Sequence, residues 1–263
     1  MTSDIVGELL ASHEDFLLVT KEVPLENGVS KYRIPERAIG SKVRHIYYKD
    51  PDGNVNDIAR YEQEQIGGLG VGVANRPHGI TIEGMNIRIW PAASDSMEGS
   101  LVILFHFRPN DLVAESAART IVSTGADSVT LASIPTGFVS GAKVDIINHL
   151  SGNDIIAYDL EIDSVDTNTN TVTFTDSLPS DVAEEQWIAL AKKSPVPMIP
   201  EEWHPVLLEM TVTFVAQTRS HGPQTEMALG RVRAYRNNLS KITDNRVVSK
   251  PHKVIGRAPF IGR

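Results

Sequence analysis

The side chains that most often carry chemistry are present here but are not spaced for it. Cysteine is absent, which removes disulfides, thiol nucleophiles, iron–sulfur clusters and Cys-based zinc sites together. Only histidine and carboxylates could hold a metal. The eight histidines form no H-E-x-x-H pair, and Glu201-Glu202-x-His204 reads as an acidic first helical turn beside a packed Trp203 ahead of a metal site. Asp166-x-Asn168-x-Asn170 copies the first half of a calcium loop. Thr171, however, replaces the turn glycine and Ser177 the bidentate Glu, so the segment reads as a hairpin turn. The glycines at 67, 68, 70 and 72 satisfy neither G-x-G-x-x-G nor G-x-x-x-x-G-K-[ST] and read as a flexible loop. No G-x-S-x-G elbow positions a serine, and the acids are scattered instead of paired for acid/base work. Trp90, Trp187 and Trp203 sit in apolar contexts, where core packing outranks a sugar-stacking platform. Nothing in these residues requires an enzyme, a metal or a cofactor.

What must position these residues is an ordinary globular chain. It has 263 residues, 41% hydrophobic and 22% charged, enough to bury a core without staples. No apolar stretch approaches the roughly 18 residues of a membrane span. The first sixteen residues lack the basic and apolar regions of a secretory signal, so maturation in a cytoplasm is expected. The net charge of −8 argues against general nucleic-acid affinity but conceals an asymmetry. From Arg231 to Arg263 there are nine basic residues and one acid, a charge of +8, which leaves −16 on residues 1–230. The basic end is either a solvated face or a dock for an acidic partner or a phosphate backbone.

Along the chain, Ser3 or Asp4 caps an amphipathic helix with Ile5, Leu9, Phe16 and Leu17 on one face, ending before Pro24. Turn signals at Asn27-Gly28 and Asp52-Gly53 bracket short strands. Residues 79–90 alternate about Glu83-Gly84 as a hairpin, and the continuous apolar run 101–109 fits a buried strand. From about Thr120 to Leu190, five or so short strands follow at regular spacing, with turns at Ser151-Gly152-Asn153 and Asp166–Asn170. This is the pattern of an inserted small β-barrel. Ser194-Pro-Val-Pro197 then forms a stiff hinge. Next comes a helix with Trp203, Val206, Leu207, Met210 and Phe214 on its stripe, although Thr211–Val215 has high β-propensity. His221-Gly222-Pro223 turns the chain into a second helix with Ala228, Val232, Tyr235, Leu239 and Ile242 on its stripe, giving a helical hairpin. After Arg246 no periodicity is sustained. The tail is either disordered or an arm that orders on a partner, and its apolar anchors favour the arm.

The expected fold is therefore α+β: a helical bundle or hairpin core with antiparallel β elements, an inserted β-barrel-like module and an extended C-terminal tail. Residues 1–117 hold the N-terminal helix and β elements, 118–193 the module, 194–246 the helical hairpin, and 247–263 the arm.

The order of these pieces, with YRIP-x-RAIG in residues 32–40 and SPVP-x-IPEE-x-HP in residues 194–205, resembles the head-to-tail adaptor proteins of tailed phages, specifically the kuravirus-type adaptors of short-tailed phages. The resemblance spans essentially the whole chain. It implies a virion structural protein without catalysis, assembled in the host cytoplasm and located in the neck. The subunits would form a homo-oligomeric ring, matching a dodecameric portal, that extends the DNA channel and offers the tail its platform. It also implies that the arm docks on the portal protein, through Arg246, Val247, Val248, Lys250, Pro251, His252, Lys253, Val254, Ile255, Arg257, Pro259, Phe260, Ile261 and Arg263. Here Lys250, Lys253 and Arg257 would meet acids, while Val254, Ile255, Phe260 and Ile261 fill pockets and supply most of the affinity. Tail nozzle or fibre proteins would meet the inserted module. Genomic DNA would pass through a lumen whose net negative charge keeps it from sticking. Alternative readings are a tail-completion or tail-tube component, or an unrelated enzyme or sugar-binding module.

Overall fold

The computed structural model describes residues 5–9, 16–62, 75–148, 154–219 and 222–243. Residues 5–9 are helical and belong to α1, with Ile5, Val6 and Leu9 buried. The chain does not stay helical up to Pro24 as its apolar spacing suggests. Phe16 and Leu17 lie in a turn, Leu17 at φ 50°, and β1 (Leu18–Pro24) follows. The β-branched Val19, Thr20 and Val23 suit a strand, and a long partner, described next, gives them a complete ladder.

That partner lies in a body built from two four-stranded sheets. Its remaining strands are β2 (Lys31–Arg33), β3 (Ala38–Lys49), β4 (Val55–Asp57), β5 (Ala59–Arg60), β6 (Gly79–Glu83), β7 (Asn86–Trp90) and β8 (Ser100–Phe107). One sheet has the order β1-β8-β3-β4 and the other β2-β7-β6-β5. The run read as a buried strand is β8, paired on both sides, with Leu101, Ile103, Phe105 and Phe107 fully buried. The hairpin at Glu83-Gly84 is β6–β7, with Gly84 at φ 61°, and the Asp52-Gly53 turn joins β3 to β4. Ile34, Ile46, Ile80, Ile87 and Ile89 join the β8 side chains in one core that both sheets share.

The second body comprises β10 (Ala118–Thr124), β11 (Ser128–Leu131), β12 (Lys143–Asn148), β13 (Asp154–Asp166), β14 (Thr171–Phe174) and β15 (Trp187–Leu190). Their antiparallel pairings run β10-β11-β14-β13-β12-β15 and return to β10. Closing the ring removes exposed strand edges. The alternating Val129/Leu131, Val172/Phe174 and Val144/Ile146 fill its own core with Ile121, Ile162 and Ile188. Between β13 and β14, Asp166 accepts the Asn168 N–H at 2.8 Å and the Thr169 hydroxyl at 2.9 Å, so the calcium-like segment is a hairpin turn. Two short strands, β9 (Asp111–Leu112) and β16 (Lys193–Ser194), pair in parallel where the chain enters and leaves this body.

The helical part is smaller than a bundle core, which corrects that expectation. A 3₁₀ turn at Glu201–Trp203 leads into α2 (His204–Thr218), and α3 (Gly222–Thr243) returns against it. Trp203, Val206 and Ile199 pack with Ile5, Val6 and Leu9 of α1 in a third, separate cluster. Most of the buried apolar surface lies in the sheets, because β-branched runs dominate the first 190 residues.

Candidate functional site

Two features could serve a function: the joint that fixes the second body on the first, and the outer surface of the helical hairpin.

The joint is centred on Asp145, which stands in the apolar strand β12 and is fully buried. One carboxylate oxygen accepts from Arg37 Nη2 at 2.8 Å, Asn110 Nδ2 at 2.8 Å and the Lys192 N–H at 2.9 Å. The other accepts the Asp159 N–H at 2.9 Å. Arg37 and Asn110 come from the sheet body, and Asp159 and Lys192 from the second body. Asp159 and Lys192 have φ of 55° and 67°, a left-handed backbone disfavoured for side chains with a Cβ, and both donate to this carboxylate. Arg37 is itself buried. It donates to the Asn110 side-chain oxygen, approaches Asp159 at 3.5 Å and stacks 4.6 Å over the Phe107 ring. The buried Asp145 charge is tolerated because donors meet both of its oxygens, whereas Arg37 Nε is buried with no hydrogen-bond partner among the described residues.

Tyr158 packs beside the pair, its ring 5.3 Å from that of Phe107 and its hydroxyl donating to the Thr20 carbonyl at 3.4 Å. Burial pushes its phenol up to about 12. Residues 32–40 and 194–205 both reach the joint. Arg37 belongs to the first. In the second, Ser194 is buried and the Met198 sulfur receives the Asn110 N–H at 3.4 Å. Sequence reading missed Asp145, although a lone acid inside the apolar stretch Lys143–Asn148 was a signal. A cleft of about 240 Å³ opens beside the joint, lined by Glu36, Arg37, Arg108, Pro109, Asn110, Asp111 and Lys192. Its mixed charges give no single ligand preference.

On the hairpin, the expected stripe holds only in part. Trp203 and Val206 are buried, but Phe214 is 55% exposed and Tyr235 also faces out. The β-prone run at Thr211–Val215 is helical nonetheless, because α2 is held along its length by α3. Thr213 and Ala216 are buried, as are Ala228 and Val232 of α3. The Glu209 carboxylate accepts from Arg231 Nη1 at 3.3 Å, and Arg236 reaches Glu8 of α1 at 3.2 Å. The opposite surface of α2 carries Leu208, 64% exposed, with Val212, Phe214 and Val215. Glu209 is the one Asp, Glu, Lys or Arg in this helix. A helix apolar on all sides is built to be covered on all sides.

The arm residues from Arg246 to Arg263 lie outside the described residues, as do the Gly67–Gly72 loop, the Ser151-Gly152-Asn153 turn and His221. The side chains of Leu239 and Ile242 are outside them as well. His204 Nε2 lies 3.3 Å from the Ile199 carbonyl, and among the described residues no three His, Asp or Glu side chains group to hold a metal. Trp203 is a core residue, whereas Trp90 is half-buried with Arg88 stacked 4.2 Å over its ring. No described helix is long and apolar enough to cross a membrane. Neither the known family models nor the curated proteins match the chain.

Proposed function

We propose that this chain is a virion structural protein, the subunit of a head-to-tail adaptor ring in the neck of a short-tailed phage. The observation that carries the proposal is the hairpin. Its α2 has the composition of an interior helix yet shows Leu208, Val212, Phe214 and Val215 to solvent in the isolated subunit, and ring neighbours would cover them. The order of pieces that resembles phage adaptors supports the same reading, as does the joint, where Asp145 of the second body meets Arg37 and Asn110 of the first.

In this role the arm, Arg246–Arg263, docks on the portal. Twelve subunits match the portal's symmetry, and the second body offers a platform to tail nozzle or fibre proteins. Besides the buried Asp145, that body carries ten acids against four bases between residues 118 and 193, a charge balance that repels a passing phosphate backbone. Electron microscopy of the full-length chain mixed with portal particles of its own phage tests the proposal. A ring seated beneath the portal is the expected result. A chain that stays monomeric and ignores the portal overturns it.

A further inference from the structure

We propose that Asn27-Gly28 is a latent site of covalent modification, where the asparagine converts to aspartate or isoaspartate once a clamp built into the fold lets go. Asn27 is the only asparagine in the chain followed by glycine. Glycine has no Cβ to shield the backbone nitrogen, so this is the asparagine whose side chain that nitrogen reaches most easily. The Gly28 nitrogen bonds to Asn27 Cγ, the Cγ–Nδ2 bond breaks, and Nδ2 leaves as ammonia with the Gly28 proton, which closes a cyclic imide. Water then opens either imide C–N bond, giving aspartate or isoaspartate. Nothing is oxidised or reduced, and water is the only co-reactant.

The fold withholds both reacting groups. Asn27 and Gly28 are exposed in the turn between β1 and β2, with Gly28 at φ 76° and the Val29 N–H donating to the Glu26 carbonyl at 3.0 Å. The Gly28 N–H, whose proton must leave, donates to the Ala93 carbonyl at 2.8 Å, and the Ala93 N–H donates back to the Val29 carbonyl at 3.1 Å. The Asn27 amide donates from Nδ2 to the Asp95 carboxylate. That bond holds the amide in place, and the negative charge beside it opposes the oxyanion that attack at Cγ creates. Water reaches the turn, but nucleophile and electrophile are each held elsewhere.

The clamp also has a place in the architecture. Residues 25–30 carry the chain from the β1 sheet to the β2 sheet, and 91–99 carry it back from β7 to β8. These two crossovers hold each other at Ala93 and Asp95, and again where the Leu25 N–H meets the Gly99 carbonyl at 2.9 Å. Conversion undoes that hold. Aspartate at 27 sets a second carboxylate against Asp95 in place of a donor, and isoaspartate adds a backbone carbon to a turn fixed on both sides.

Peptide mapping by mass spectrometry, with isoaspartate resolved from aspartate by chromatography, tests the site on the full-length chain kept in mildly alkaline buffer. Asn27 should persist in the folded chain and convert in urea ahead of the other asparagines. In the Asp95→Ala variant, shown to be folded by circular dichroism, it should convert about tenfold faster than in wild type, the strength of one hydrogen bond to a charged group expressed as a rate. Asp95→Asn, which keeps an acceptor oxygen and loses the charge, should fall between the two. Equal rates in the folded chain and in urea, or folded Asp95 variants no faster than wild type, overturn the clamp. An Asn27 that survives in urea overturns the site itself. The structural consequence has its own readout: Asn27→Asp should lower the thermal midpoint, and adding Asp95→Asn should restore it by exchanging donor and acceptor. A midpoint that Asn27→Asp leaves unmoved overturns the hold between the crossovers.

Discussion

Asp145 ties four separate stretches of chain through one carboxylate, so its loss should be felt at all of them. Asp145→Ala leaves Arg37 buried without its counter-charge and releases two left-handed backbone positions, at Asp159 and Lys192. A destabilisation of about 3–5 kcal/mol is expected, measured by urea unfolding. The double variant Arg37→Met with Asp145→Leu should recover much of it, since the uncompensated charge goes too. Tyr158, packed against the same joint, makes stability depend on alkali. Its folded phenol titrates at about 12 against an ordinary 10.0, so its contribution is complete below the unfolded value and is lost as pH rises toward the folded one. Unfolding free energy should therefore fall between about pH 10 and about pH 12, and Tyr158→Phe should flatten that fall. Little of this was legible beforehand. Arg37 stood out as part of a recognisable segment, but a salt bridge between residues 108 positions apart leaves no local pattern.

At the scale of elements, hydrophobic period was a good guide wherever a strand or helix has one solvated side. The β6–β7 hairpin and five of the six strands of the second body, β11 to β15, read correctly for that reason, while β10 carried no marked apolar pair. It misled at the N-terminus, where Phe16 and Leu17 continue the helical spacing of Ile5 and Leu9 but the open edge of β8 recruits the next seven residues as β1. It misled again on α2 and α3. Phe214 of α2 lies on the expected stripe yet is exposed because a helix apolar all round has no preferred face to read, and Tyr235 of the polar α3 is exposed although it continues the spacing of Ala228 and Val232. The seam where β8 begins has little room to vary. Gly99 sits at φ 121°, and a Cβ there would collide with the Lys49 carbonyl oxygen. Its own carbonyl accepts the Leu25 N–H at 2.9 Å. Gly99→Ala should cost about 2 kcal/mol or more, seen as a lowered denaturant midpoint with unchanged slope. A side chain must either clash or displace the start of the central strand.

For the molecule as a whole, charge divides the chain into an acidic stretch over residues 1–230 and a basic end. Under the proposed function, portal docking belongs to that end. Deleting residues 247–263 should accordingly abolish portal binding while leaving self-association intact, which co-sedimentation with portal particles and sedimentation velocity of the free chain would show. Tail docking elsewhere on the body would instead survive the deletion. The sequence by itself determined the mixed α+β class, the antiparallel strands, the turn at Asp166–Asn170 and the separation of charge, because these depend on local period, turn chemistry and composition. Only the tertiary structure decided that β8 is the shared centre of the first body and that Arg37 meets Asp145. It also decided that α2 leaves Leu208, Val212, Phe214 and Val215 exposed among the described residues. Each of these depends on which distant surfaces meet, and the free energy of that meeting is not written in any single stretch of chain.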